Sequence, residues 1–211
     1  MRQVKQRDAE RTKAALLDAA AIEFAEKGYA SARVEDIAQR VGLTKRLVFY
    51  YFESKEKLYI AALESAYQHI RTQEAALGGA SLPPREALAR ISAFTFDYYV
   101  AHPGFVRLVA GENIEGGAFL AKSGLVRASN RGVIELLEEI LERGRNEGIF
   151  RKDVGATDVH MTISSLAFFC IANRHTFGTL FDVDMNSSAF LEAKRTQIVD
   201  IVDRFVRELT S

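Results

Sequence analysis

Apolar residues recur along this chain at helical rather than alternating spacing, and the pattern predicts helix almost throughout. Near the C-terminus Ile198, Ile201, Val202, Phe205, Val206 and Leu209 stand at offsets 0, 3, 4, 7, 8 and 11, the spacing of one apolar helix face, on a helix expected over about Ser188 to Leu209. Near the N-terminus Leu17, Ala20, Ala21 and Phe24 mark a helix from about Asp8 to Lys27, stopped by Gly28. A short helix is predicted over Val34 to Val41. Another runs from the N-cap Thr44 to Phe52, and a longer one opens at Ser54 and runs towards Gly78-Gly79. Pro84 suits the first turn of the next helix, and His102-Pro103-Gly104 breaks it. Helices over Phe105 to Ile114, Leu125 to Asn146 and Ala156 to about Phe177 complete the pattern, the last of these apolar nearly all round. No strand alternation with hairpin turns appears, so the fold class is all-α.

Composition narrows the reading. The 211 residues are 48% apolar and 27% charged, a globular mix large enough for a sizeable core. One Cys excludes an intrachain disulfide framework, no apolar run approaches a membrane span, and Met1 to Lys5 lead into no apolar leader. A cytoplasmic protein without membrane contact is expected. Net charge is zero but uneven: residues 1–57 carry 12 Lys/Arg against 9 Asp/Glu. That asymmetry is compatible with a nucleic-acid-facing N-terminal part on an acidic body. Arg2, Lys5, Arg7, Arg11 and Lys13 make residues 1–13 either a basic arm near phosphates or a solubilising tail.

Chemistry concentrates in Val34 to Phe52. Ile37, Val41, Leu43, Val48 and Tyr51 are spaced for a small shared core, Ala38 is small where a second helix crosses, and Gly42 sits at the tight turn. Two helices joined by such a turn form a helix-turn-helix. Its second helix presents Lys45, Arg46, Phe49 and Tyr50 outward, and basic residues beside exposed aromatics suit groove contact with DNA.

Phe24-Ala-Glu-Lys-Gly-Tyr29, Asp36-Ile-Ala-Gln-Arg-Val-Gly42 and Tyr50-Tyr-Phe-Glu-Ser-Lys-Glu-Lys-Leu58 resemble the N-terminal half of a tetracycline-repressor (TetR) family regulator. The match covers about the first 60 residues, and the run Lys45 to Phe52 is similar to the branch that includes the repressor of pyrimidine catabolism. The resemblance implies a DNA-binding domain over residues 1–53 and a ligand-binding and dimerisation domain over 54–211. It implies that Thr44 and Lys45 meet the DNA backbone, that Arg46, Leu47 and Tyr50 face the groove, and that Lys55 holds a phosphate. Arg33 and Phe49 complete the candidate DNA-binding set. Two positions depart from the family: residue 46 is often Gly and residue 49 often a phosphate-binding Tyr, whereas this chain has Arg46 and Phe49.

In the C-terminal part, Asn173, Arg174 and His175 arrive within one turn of an otherwise apolar helix, and buried polar groups need partners. Two readings stand: polar anchors of a ligand pocket, or a subunit-interface helix. The resemblance raises Tyr67, Phe94, Tyr98, Asn113, Leu166, Cys170, Asn173 and Arg174 as pocket candidates. Aromatics at helical spacing also read as plain core, and Cys170 as a small buried hydrophobe. Ile198, Ile201, Val202 and Phe205 are expected at a dimer interface in which two C-terminal helices per subunit form a four-helix bundle. The helix from Ser54 to Gly78, carrying Tyr67, is expected to couple ligand to DNA.

No enzyme is expected. Asp158 and His160 are two apart, Cys170 and His175 five apart, and no zinc, nucleophile-elbow, P-loop or Rossmann signature occurs. No catalytic residue, cofactor or metal is assigned. The implied partners are double-stranded operator DNA, a small-molecule effector and a second copy of the chain. A DNA-binding dimer governed by a protein partner is the alternative.

Overall fold

The computed structural model describes residues 2–208, without the side chains of residues 2–6 and of Ala80. The side chains of Arg2 and Lys5, and the whole of Leu209, therefore lie outside the described residues. Within them the chain is helical: α1 (Arg2–Ser31), α2 (Val34–Arg40), α3 (Lys45–Phe52), α4 (Lys55–Ala75), α5 (Pro84–Ala101), α6 (Pro103–Ile114), α7 (Gly124–Asn146), α8 (Ala156–Ala172), α9 (Arg174–Phe181) and α10 (Ser188–Val206). The described residues hold no sheet, only an isolated bridge between Phe150 and Arg207.

The punctuation read from sequence acts where expected. Thr44 caps α3 by accepting from the Leu47 N–H, and Ser54 opens α4 by accepting from the Lys57 N–H at 3.1 Å. Pro84 stands in the first turn of α5. Gly28 (φ 73°, ψ 168°) kinks α1, and one more helical turn follows it. Two expectations change. The apolar helix does not run from Ala156 to Phe177: the backbone bends at Asn173 (φ −102°, ψ 5°) and α9 leaves as a separate helix. The polar turn Asn173 to Thr176 is followed at once by Phe177 at helical spacing, so periodicity did not mark the bend. The last helix ends at Val206, before Leu209.

The chain forms two compact units. One contains residues 1–68 and 107–127, the other residues 69–106 and 128–211, with boundaries inside α4, α6 and α7. In the first unit Leu16, Ala20, Phe24, Ile37, Val48, Phe52, Leu58 and Tyr59 form the core, joined by Leu108 and Phe119. Ile37 and Val48 are buried as expected, with Val41, Leu43 and Tyr51 packed half-buried around them. On α1, Leu16 rather than Leu17 is the fully buried leucine. The buried Glu23 binds Arg40 at 3.0 Å and Lys27 at 2.7 Å, pinning α2 to α1. In the second unit α5 packs on α8 and α10 through residues such as Leu88, Ile91, Val159, Ile163, Ile198 and Val202.

Candidate functional site

In the first unit the local sequence aims α3 outward. Val48 and Phe52 are buried on one side of this eight-residue helix, which leaves Lys45, Arg46 and Tyr50 on the other. Tyr50 is 78% exposed, with its edge against Tyr51. Arg46 is exposed and forms no ion pair among the described residues. Beside α3 lies a groove of about 600 Å³ whose lining includes Arg33, Glu35, Lys45, Phe49 and Lys55. Lys45 bridges the Glu35 carboxylate at 2.6 Å and the face of Phe49 at 5.5 Å. Its ammonium holds the Glu35 carboxyl below the usual range. Lys55 donates to the Ala30 carbonyl at 3.1 Å and lies 4.8 Å over the Tyr29 ring, where burial lowers its pKa. The arrangement is an exposed, cation-bearing helix face beside a basic groove, the form that meets phosphates and base edges.

The second unit holds a different cluster. The Tyr98 hydroxyl meets His69 Nδ1 at 2.8 Å, and its ring packs against Phe94, His102 and Phe105. Burial pushes the Tyr98 phenol up to about 12 and raises Tyr99 as well. Arg71 and Glu74 form an ion pair with side chains only 9% and 5% exposed. Burial dominates at Glu74 and raises its pKa against the pull of Arg71. His160 bonds to Ser164 at 3.0 Å, and burial holds its imidazole towards the neutral form.

A family model described as bacterial regulatory proteins, tetR family, matches residues 16–62, and one described as tetracyclin repressor-like, C-terminal domain, matches residues 84–202. The chain belongs to the TetR family. It is 36% identical over 206 residues to the HTH-type transcriptional repressor NicS of Pseudomonas putida, covering 98% of this chain and 96% of that protein. The HTH-type transcriptional regulator RutR of Escherichia coli is 47% identical over 51 residues, 24% of each chain. Likeness to that branch is therefore matched over a short segment, whereas NicS matches along the whole length. A TetR transcriptional regulator from Chloroflexus aurantiacus has the same fold, with a TM-score of 0.72 at 21% identity over 96% of this chain and 100% of that one. The TetR family is one of transcriptional regulators, not enzymes.

Set on this TetR framework, the sequence-read residues divide. Arg33, Lys45, Phe49 and Lys55 line the groove beside α3, Thr44, Arg46 and Tyr50 are exposed, and Leu47 is half-buried. The pocket candidates are distributed over both units. Phe94 and Tyr98 belong to the buried cluster, but Tyr67 lies in the first unit. Asn113 lies there too, exposed, with its amide turned to the Val109 carbonyl of its own helix. Cys170 is buried and its thiol is pushed up, the behaviour of a small hydrophobe. Leu166 is half-buried on α8. Asn173 and Arg174 stand half-buried at the bend rather than inside a buried helix, and Arg174 Nε donates to the exposed His175.

Sequence reasoning passed over Arg71, Glu74, His160 and Ser164. The visible signal was polar pairs three and four apart along a helix. Of the residues expected at a dimer interface, Ile198 and Val202 are buried within a single chain because α10 turns that face onto α5 and α8, and Ile201 and Phe205 are half-buried. The exposed apolar surface of this unit lies instead on Met161, Phe169, Leu180 and Phe181.

Proposed function

We propose that this TetR-family protein is a cytoplasmic repressor that binds a pseudo-palindromic operator as a homodimer and is released by a small-molecule effector. The observation that carries the DNA reading is α3: a capped, solvent-facing helix whose apolar side is spent on its own core and whose other side presents Arg46 and Tyr50. Arg46, Leu47 and Tyr50 face the major groove. Thr44, Lys45, Arg33 and Lys55 take backbone phosphates, with Phe49 as the platform under Lys45. Lys45 exchanges Glu35 for a phosphate on binding. NicS carries repression in its name and matches the full chain, which supports a repressor rather than an activator.

The homodimer is supported by the apolar strip on α8 and α9. Phe169, Phe177 and Phe181 form a continuous ring ladder with centroids 5.7 and 4.5 Å apart. Exposed apolar surface of this kind marks an interface, and a two-fold axis there pairs two recognition helices with two half-sites. The effector reading is supported by the buried polar cluster around Arg71 and Tyr98, since small-molecule sites set a few polar groups among aromatic walls. Effector binding releases DNA by changing the course of α4, which starts two residues after α3 and reaches the segment carrying Arg71.

Selecting operators from a random duplex library tests the reading. Arg46→Ala is expected to weaken the selected site by about 1–3 kcal/mol and to relax preference at one base pair per half-site. Unchanged affinity with unchanged preference would overturn the assignment of α3.

A further inference from the structure

The least satisfied buried group in the second unit is a cation. Arg71 is 9% exposed, and its Nε is buried with no hydrogen-bond partner among the described residues. Its Nη1 is taken by Glu74, so the edge built from Nε and Nη2 stands open to an acceptor. That edge pairs a carboxylate through two parallel N–H bonds. A buried donor without an acceptor is costly, and a charged one more so. Burial raises the Glu74 pKa against the pull of Arg71. The Arg71 charge reaches the Tyr98 and Tyr99 phenols and the His160 imidazole, and Tyr99 lies edge-on to Phe168. The neutral His160 and its Ser164 partner add a donor and an acceptor beyond the rings.

We propose that Arg71 anchors the carboxylate of a small planar aromatic acid, with the ring against Tyr98 and Tyr99 and its far edge met by His160 and Ser164, and that acids of this class are the effectors. The inference rests on the effector reading above and specifies its chemistry. Charge selects the head group, and the aromatic walls select a flat body.

The test uses the full-length protein with benzoate, its neutral isostere benzamide, and non-planar cyclohexanecarboxylate, read by thermal shift, calorimetry and operator release. Benzoate is expected to raise the melting temperature and weaken operator binding, and the other two probes to do so far less. Arg71→Gln is expected to weaken benzoate by about tenfold or more, the loss of a charge-assisted pair. Should that variant fail to fold, Glu74→Gln carries the test. It removes the competing carboxylate, so benzoate is expected to bind severalfold tighter. Equal responses to benzoate and benzamide overturn the inference, as does benzoate binding that neither substitution changes. If a broader screen finds only neutral ligands that release the operator, the effector reading survives and this inference falls. If no compound of any charge alters operator binding, both fall.

Discussion

The exposed apolar strip on α8 and α9 gives a prediction that separates assembly from folding. Phe169 is 47% exposed and Phe181 61% exposed in one chain, and Phe177 links them into one strip. Fully burying a side chain of this size is worth about 1.5–3 kcal/mol, so covering the exposed part of each contributes about 1–2 kcal/mol. At a two-fold interface every residue counts twice. The double substitution Phe169→Ser with Phe181→Ser therefore removes about 4–8 kcal/mol, a rise of about a thousandfold or more in the dimer dissociation constant. Neither ring belongs to the buried core, so each protomer stays folded. Val202→Ala is the counterpart. Val202 has no exposed surface in the single chain, so its truncation leaves a cavity against α5 and α8 and lowers protomer stability by about 1–3 kcal/mol. Light scattering at micromolar concentration reads the assembly, and urea denaturation read for protomer unfolding reads the fold. The double variant is expected to be a folded monomer and Val202→Ala a less stable dimer. A double variant still dimeric at micromolar concentration refutes the reasoning. So does a Val202→Ala protein that dissociates with protomer stability unchanged.

Three further outcomes follow from buried contacts. A Cβ on Gly144 would lie 2.0 Å from the Phe150 ring, so Gly144→Ala is expected to cost about 1–3 kcal/mol of overpacking, seen as a lower urea midpoint; an unchanged midpoint contradicts that packing. The buried Glu112 accepts from the Phe119 and Leu120 N–H groups at 2.9 Å each. Glu112→Ala strands both donors and is expected to cost about 2–4 kcal/mol, whereas Glu112→Gln keeps an acceptor and costs less; equal losses would remove the capping role. Burial lowers the pKa of His102 and His160 from 6.5, so below that pH the unfolded chain takes up protons that the folded one resists. Stability is thus expected to be highest above about pH 6.5 and to fall as pH drops, with His160→Gln flattening the slope in melts from pH 7.5 to 5.5.

Most of the exposed face of α3 was legible in the sequence. Its signals are local: the Thr44 cap, the turn at Gly42 with φ 69°, and the alternation that buries Val48 and exposes Tyr50 all lie within a dozen residues. Chain chemistry settles such short-range features, because a cap, a left-handed turn and a helix face need only near neighbours. The state of the exposed cations was not legible. Glu35 is ten residues from Lys45 and Ala30 twenty-five from Lys55, and only folding sets those partners.

The second unit divides the same way. Periodicity placed α5, α7, α8 and α10, and the stripe Ile198, Val202, Val206, part of the face read from sequence as meeting a second subunit, is buried within one chain. A stripe states that a face is covered and not by what. Here α5 and α8 of the same chain cover it, and the exposed apolar side chains of this unit lie on α8 and α9. Likewise Arg71 and Glu74 look in sequence like an ordinary surface pair three apart on a helix. Their burial beside Tyr98, Tyr99 and His160 comes from α5 and α8, segments distant in sequence, and burial is what turns a weak surface pair into an under-satisfied charge.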